Sequence, residues 1–130
     1  MSARILIIED SEINLSLMSY LLSVFGYAVR TAMDGGMGVE SARSDPPDLI
    51  ICDIQMPKLD GYEVARQIKE DPALRHIPLI AVTALAMVGD REKILAAGFD
   101  GCILKPIDTE KFVAEMEGYL DGKWKMENGK

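Results

Sequence analysis

The sequence contains few cysteines, and their positions argue against a structural disulfide. The 130 residues include two cysteines, Cys52 and Cys102, and each lies in a short apolar segment that reads as a buried strand. Buried thiols outside a disulfide suit the reducing environment of a cytoplasm. A disulfide between them is the less favoured alternative, because the pattern places another strand between theirs.

The sequence also lacks long apolar runs and an excess of basic residues. Its longest apolar runs have only the length of a strand, and Arg4 is followed closely by Glu9 and Asp10. We therefore expect neither a membrane span nor a secretory signal. The net charge of −7 and the pI of about 4.7 would repel nucleic acid, whose binding depends on neutralising phosphates. These absences predict a cytoplasmic protein that contacts neither nucleic acid nor membrane directly.

Apolar segments of strand length alternate with helical segments along most of the chain. Five short apolar segments read as strands: Arg4–Ile8, Tyr27–Ala32, Leu49–Asp53, Ile77–Val82 ending at Thr83, and Gly101–Leu104. One helix is predicted after each strand. The five helices run from Ser11 as N-cap to Gly26, from Asp34 to Ser44, from Asp60 or Gly61 to Glu70, from Gly89-Asp90 to Gly98, and from Asp108 as N-cap to Leu120. Such alternation predicts an α/β fold with a single doubly wound, five-stranded parallel sheet of order 2-1-3-4-5, as in flavodoxins.

The composition fits one globular domain. Hydrophobic residues make up 48% and charged residues 27% of the sequence, which is ordinary for a chain with a single core. We expect this domain to span residues 1–120. The polar segment 121–130, with Trp124 as its only aromatic residue, is predicted to be a C-terminal tail or a linker stub.

Ionisable or hydroxyl side chains follow four of the five predicted strands. In chain order they are Glu9 and Asp10, then Asp53, Thr83 and Lys105. Because the strands of a parallel sheet share one carboxyl edge, these side chains should meet where such folds bind ligands. Three carboxylates would repel one another unless a cation lay among them. Since no Cys or His joins the cluster, oxygen ligands favour Mg²⁺ over zinc as the cofactor.

Asp53 ends the most apolar strand, and we interpret it as a nucleophile that accepts a phosphoryl group. Aspartate is a recognised acceptor in this chemistry, which needs mainly alignment and charge neutralisation. Lys105 would pair with Asp53 at rest and with phosphoryl oxygens afterwards, while the Thr83 hydroxyl would donate to the same oxygens. Taken singly, Asp53 could end a strand, Thr83 could cap a helix and Lys105 could lie on the surface. Because all three are predicted at the same edge of the sheet, a phosphoryl-accepting site is favoured over three separate structural roles.

Four motifs resemble the receiver domain of bacterial response regulators. They are Ile7-Ile8-Glu9-Asp10, Asp53-Ile54-Gln55-Met56-Pro57 with Gly61, Val82-Thr83-Ala84, and Lys105-Pro106. The resemblance covers residues 4 to about 120 and implies a CheY-like fold. It also implies that Asp53 is the phosphoacceptor, that Asp10 and Asp53 bind Mg²⁺ directly, and that Glu9 does so mainly through water. The backbone carbonyl of Gln55 would be the third protein ligand.

The same resemblance assigns the switch and the partners. Thr83 would be the switch hydroxyl and Lys105 the phosphate partner, with a cis Lys105–Pro106 peptide bond. A histidine kinase or a histidine phosphotransfer protein would supply the phosphoryl group. The output would be a downstream protein partner or a homodimer formed through helix 4, strand 5 and helix 5. The chain would be a signalling phosphoacceptor that assists its own phosphorylation and dephosphorylation, rather than an enzyme.

Cys102 departs from the family pattern. Receivers usually carry Tyr or Phe three residues before the lysine, and the rotamer of this ring changes together with that of the threonine. Here that position is Cys102. Phe99 lies in the loop before strand 5, and we do not expect it to substitute. A cysteine offers less apolar area for an inward state to bury. We therefore expect the chemistry at Asp53 to be intact and its coupling to the helix 4–strand 5 surface to be weaker.

Some segments narrow the type of receiver. Residues 9–14 and 83–90 resemble stand-alone receivers, of which DivK is one, and receivers fused to hybrid histidine kinases. The start at Met1, three residues before the first strand, favours a stand-alone or N-terminal receiver.

Three other functions are compatible with this sheet. A flavodoxin-type carrier needs a phosphate loop after strand 1, where Glu9-Asp10 would repel the flavin phosphate. An aspartate-nucleophile phosphatase usually has a second acid where Gln55 stands. The stronger alternative is a degenerate receiver that acts as a phosphorylation-independent interaction module, which Cys102 favours and the intact Asp53 and Lys105 oppose.

Overall fold

The computed structural model describes residues 3–120, in which five strands alternate with five helices. The strands are β1 (Arg4–Ile8), β2 (Ala28–Ala32), β3 (Leu49–Asp53), β4 (Leu79–Thr83) and β5 (Gly101–Leu104). The helices are α1 (Glu12–Val24), α2 (Gly35–Ser44), α3 (Gly61–Glu70), α4 (Asp90–Ala96) and α5 (Phe112–Leu120). All four strand pairings are parallel, in the order β2-β1-β3-β4-β5. The predicted fold class is confirmed, whereas the predicted tail, residues 121–130, lies outside the described residues.

Most predicted boundaries agree with the structure to within a residue or two, and β2 begins at Ala28 rather than Tyr27. Strand β4 begins at Leu79 rather than Ile77, because Pro78 has no N–H to donate to a neighbouring strand. The regular helix α5 begins at Phe112, and Asp108 caps the turn that leads into it, because its carbonyl accepts the Phe112 N–H at 2.9 Å. Its carboxylate accepts the Glu110 N–H at 3.0 Å, as the side chain of an N-cap does.

The sheet separates two apolar layers. Alternate residues of β1 face opposite layers: Ile5 and Ile7 pack with α1 and α5, whereas Leu6 and Ile8 pack with α2, α3 and α4. Strands β3 and β4 are buried along their whole length. Burying one such large aliphatic side chain contributes about 1.5–3 kcal/mol. The three inner strands are therefore fixed by packing on both faces, which sets the position of their carboxyl ends.

Helix α1 carries apolar side chains on its outer face as well as its inner face. Leu15, Met18 and Leu22 are buried against the sheet, whereas Ile13 and Phe25 are 81% and 64% exposed. Ile13 and Phe25 therefore lie away from the sheet. Within residues 3–120, no helix combines the length and the apolar character needed to cross a membrane.

A polar clamp holds the amino ends of β4 and β5 at the opposite edge of the sheet from their carboxyl ends. The Asp100 carboxylate accepts the Leu79 N–H at 2.8 Å and pairs with Lys69 Nζ at 3.3 Å. The same Nζ donates to the Ile77 carbonyl at 3.3 Å. Three elements are thus tied together by one lysine.

Candidate functional site

Three carboxylates meet at the carboxyl edge of the sheet. Glu9 and Asp10 follow β1, Asp53 ends β3, and oxygen atoms of all three lie within 4.8 Å of one another. Glu9 is fully buried and Asp53 is 4% exposed. The adjacent pairing of β1 with β3 brings these residues together across 43 positions of sequence or more. The predicted cluster is present in the structure.

A close backbone approach fixes the loop after Asp53. The Gly61 N–H donates to the Ile54 carbonyl at 2.8 Å, and Asp60 caps α3 by accepting the Glu63 N–H at 3.0 Å. A Cβ placed on Gly61 would lie 2.5 Å from the Asp53 carbonyl oxygen. Only glycine fits there without moving backbone, so this residue locks the start of α3 against the end of β3.

Lys105 is the cation among these carboxylates. Its Nζ lies 3.0 Å from Glu9 Oε1 and 3.4 Å from Asp53 Oδ1. Burial would lower the pKa of Lys105, but the neighbouring Glu9 and Asp53 carboxylates outweigh it and hold the pKa above its usual value. The Lys105–Pro106 peptide bond is cis, as expected, and the Lys105 N–H donates to the Thr83 carbonyl at 2.8 Å. The side chain is therefore a charged partner held at a defined place.

Glu9 is held by its own loop. The Ser11 N–H donates to Oε2 at 3.1 Å, which leaves Oε1 with the Lys105 ion pair and no hydrogen-bond donor of good geometry among residues 3–120. A buried carboxylate oxygen without a hydrogen bond is costly unless another positive group satisfies it. This orphaned oxygen and the all-oxygen donor set fit a hard divalent cation such as Mg²⁺.

The electrostatics of Asp53 reflect an excess of negative charge. Burial and the adjacent Glu9 carboxylate raise the pKa of Asp53 to about 7, while Lys105 and the Gln55 N–H oppose the shift. The Gln55 N–H lies 3.4 Å from Asp53 Oδ1, a long hydrogen bond. A bound divalent cation would add positive charge and lower this pKa. A cation bound beside Asp53 would therefore favour the ionised form of its carboxylate.

Thr83 lies at the same edge but does not bond to Asp53. Its fully buried hydroxyl accepts the Leu85 N–H at 3.0 Å, and no hydrogen bond joins it to Asp53 in the part of the chain that the structure describes. Phe99 packs on α3 and α4 inside the core and is 3% exposed. Cys102 is partly buried on β5, and both cysteines are free thiols.

The structure adds residues that the sequence analysis did not assign. Ser11 donates to the Glu9 carboxylate and Leu85 donates to the Thr83 hydroxyl. Both contacts are made by a backbone N–H, so the type of side chain gives no sign of them. Arg91, at the start of α4, donates to Cys102 Sγ at 3.6 Å. Only its predicted place in the first turn of helix 4, near strand 5, could have suggested this contact.

Comparison with known proteins identifies the family. Residues 5–117 match the response regulator receiver domain. The response regulator DivK of Brucella ovis, described as a polar-differentiation regulator, is 42% identical over 120 residues, which cover 92% of this chain and 98% of DivK.

Solved structures agree with this assignment. The receiver domain of a sensor histidine kinase from Pseudomonas aeruginosa, crystallised with magnesium coordinated in its active-site cleft, is 35% identical with a TM-score of 0.82, covering 95% of this chain and 98% of that one. A chemotaxis protein of the CheY type from Vibrio cholerae is 26% identical with a TM-score of 0.85, covering 90% and 98%.

Receiver domains act in two-component phosphorelays, where they bind Mg²⁺ in an acidic pocket and interact with histidine kinases and downstream partners. The match spans both core layers and every strand that contributes to the carboxylate cluster. This chain therefore belongs to the response regulator receiver domain family.

Proposed function

We propose that the chain receives a phosphoryl group on Asp53 from a histidine kinase or a histidine phosphotransfer protein, and that the acyl phosphate switches a partner-binding surface. The observation that carries this proposal is the environment of Asp53. Its carboxylate ends a buried strand, faces the Lys105 cation at 3.4 Å and lies beside two further carboxylates. A structural aspartate needs a counterion, but it does not need two more acids.

The transfer is a substitution at phosphorus. An Asp53 carboxylate oxygen forms a bond to phosphorus while the bond from phosphorus to the donor nitrogen breaks, and the leaving imidazole keeps that electron pair and takes a proton. The Lys105 ammonium balances charge on the phosphoryl oxygens, and the Thr83 hydroxyl donates to one of them once it leaves the Leu85 N–H. Positioning and charge neutralisation are the main requirements of such a transfer.

Mg²⁺ would be held by Asp10 and Asp53 directly, by the backbone carbonyl of Gln55, and by Glu9 through water. When bound, the ion supplies positive charge beside the phosphoryl oxygens. The ion pair of Glu9 with Lys105 at 3.0 Å and its Ser11 hydrogen bond favour an orienting role for Glu9, because these two contacts hold its carboxylate in place.

The remaining assignments follow from this role. Residues 1–120 would form the receiver, and it would work in the cytoplasm without direct contact to nucleic acid or membrane. The surface made by α4, β5 and α5 would contact a downstream partner or a second copy of the chain. A degenerate receiver that binds partners without phosphorylation is the second candidate, which Cys102 favours because it removes the usual aromatic partner of the threonine.

Labelling with a small phosphodonor tests the proposal. With Mg²⁺ and acetyl phosphate, the chain should gain one phosphoryl group, seen as a shift in intact mass that is stable to acid and labile to base. Chelation of Mg²⁺ with EDTA should abolish the shift, because uncompensated carboxylates repel an anionic donor. A chain that folds and binds Mg²⁺ but never gains the label would support the degenerate receiver.

Metal binding should distinguish Asp10 from Glu9. Changing Asp10→Asn removes a direct ligand, whereas Glu9→Gln keeps the volume of a buried side chain and alters an orienting group. Orienting groups around a metal typically change its affinity by about 10–100-fold, and we expect Asp10→Asn to weaken Mg²⁺ binding at least about tenfold more than Glu9→Gln. Calorimetric titration with Mg²⁺ measures both, and equal losses would contradict the assignment.

A further inference from the structure

A groove of about 490 Å³ opens on the surface formed by α4, β5 and α5. The side chains of Leu85, Met87 and Leu104 line it, together with Cys102 on β5. Met87 is 78% and Leu104 is 49% exposed. The volume lies within the range of sites that bury small ligands or single anchoring side chains. The groove therefore offers apolar surface around a small side chain, at the position where the receiver pattern usually has Tyr or Phe.

The groups around Cys102 favour an aromatic occupant over an aliphatic one. The Arg91 guanidinium contacts Cys102 Sγ at 3.6 Å, and sulfur is a weak acceptor for a strong donor. A guanidinium binds the face of an aromatic ring, and sulfur atoms, here of Cys102 and Met87, make favourable contacts with ring edges. An aliphatic side chain would gain neither interaction.

The rim of the groove carries both signs of charge. Arg91 and Lys111 lie on it with Asp108 and Glu115, so it matches the polar backbone and mixed charges of a protein segment better than a uniformly charged ligand. The groove also adjoins the switch, because Leu85 lines it and its N–H holds the Thr83 hydroxyl. An occupant would touch the loop that must move when Thr83 turns toward a phosphoryl group.

We propose that this groove binds an aromatic side chain from a downstream protein partner, which supplies in trans the ring that Cys102 lacks. The inference rests on the proposed function, since it names the chemistry of the partner for the same switching surface. The occupant would stack beneath the Arg91 guanidinium against Cys102 and Met87.

Reversible disulfide exchange at Cys102 tests the chemistry of the groove. The probes are mixed disulfides of cysteamine with 2-phenylethanethiol and with 2-cyclohexylethanethiol, which differ mainly in aromaticity. The Cys102 thiolate attacks the disulfide, forms a new S–S bond to the fragment and releases cysteamine thiolate, which takes up a proton. Intact mass at a fixed concentration of 2-mercaptoethanol gives the fraction of each adduct.

The phenyl adduct should exceed the cyclohexyl adduct by about three- to tenfold, as expected for combined cation–π and sulfur–ring contacts. The neutral variant Arg91→Gln should lower this preference at least about twofold. The Cys102→Ser variant should give no adduct, because Cys52 is fully buried. Equal adducts, a preference unchanged by Arg91→Gln, or labelling of Cys102→Ser would overturn the proposal.

Selection from a displayed library of random twelve-residue peptides tests whether the groove binds partner segments through an aromatic side chain. Peptides enriched on the parent chain should carry an aromatic anchor and should bind at least about tenfold less to Cys102→Trp, in which the ring fills the groove. Peptides without aromatic residues, or with equal affinity for both chains, would overturn the proposal. Acetyl phosphate labelling of Asp53, run on the same samples, separates this failure from failure of the proposed function.

Discussion

The Asp53→Asn variant should gain no acyl phosphate from acetyl phosphate and Mg²⁺, a loss of about 1000-fold or more in labelling rate. An amide lacks the carboxylate oxygen that attacks phosphorus, and the neighbouring acids cannot replace it. Glu9 is fully buried and already paired with Lys105 at 3.0 Å. The variant should nevertheless unfold at the same or a higher temperature, because it removes one of three clustered negative charges.

The matched control is Asp60→Asn in the loop that follows Asp53. Asp60 caps α3 by accepting the Glu63 N–H at 3.0 Å, and asparagine caps a helix about as well as aspartate. This variant should label like the parent chain. Intact mass and thermal unfolding measure both variants. Labelling of Asp53→Asn at the parental level would place the phosphoryl group on another residue.

The Gly61→Ala variant should lose both stability and phosphorylation. The added Cβ would lie 2.5 Å from the Asp53 carbonyl oxygen and 2.6 Å from Ile54 Cα, and backbone atoms cannot move aside as a flexible side chain can. Forcing an extra carbon into a packed region typically costs about 1–3 kcal/mol. A displacement of about 1 Å at a reacting group can slow a reaction by about 100-fold, so labelling of Asp53 should fall by a similar factor.

Gly118→Ala provides the opposite case. Gly118 lies within α5, and a Cβ built on it meets nothing within 4 Å among residues 3–120 beyond its chain neighbours and the backbone of its own helix. Alanine should therefore stabilise the helix by about 0.5–1 kcal/mol and leave labelling unchanged. Chemical denaturation measures the two free energies of unfolding. If both variants shifted stability in the same direction, the close approach at Gly61 would not be the cause.

The sequence predicted the parts of the fold that depend on local pattern. The bounds of β1, β3 and β5 agree with the structure, because short apolar runs bounded by turn residues mark strands. The start of α5 shows the limit of this reasoning. Asp108 accepts the Glu110 N–H as a cap does, yet residues 109–111 form a turn and the regular helix begins only at Phe112.

The predicted site residues share one edge, but their pairing could not be read from the sequence. Lys105 was expected to pair with Asp53, and it does so at 3.4 Å, yet it lies nearer to Glu9, at 3.0 Å. This preference depends on the register of β1, β3, β4 and β5, which brings distant side chains together. The outer face of α1 gives a second example, because apolar spacing does not tell which stripe of a nearly uncharged helix meets the sheet.

The Lys69–Asp100 clamp has a mechanical consequence. It anchors the amino ends of β4 and β5, while Thr83 and Lys105 lie at or just after the other ends of the same two strands. Each strand is thus pinned at its amino end, so any displacement at its carboxyl end must bend the strand about that anchor. If Asp53 is phosphorylated as proposed, amide hydrogen exchange should therefore change more at Thr83 and Lys105 than at Leu79 and Gly101.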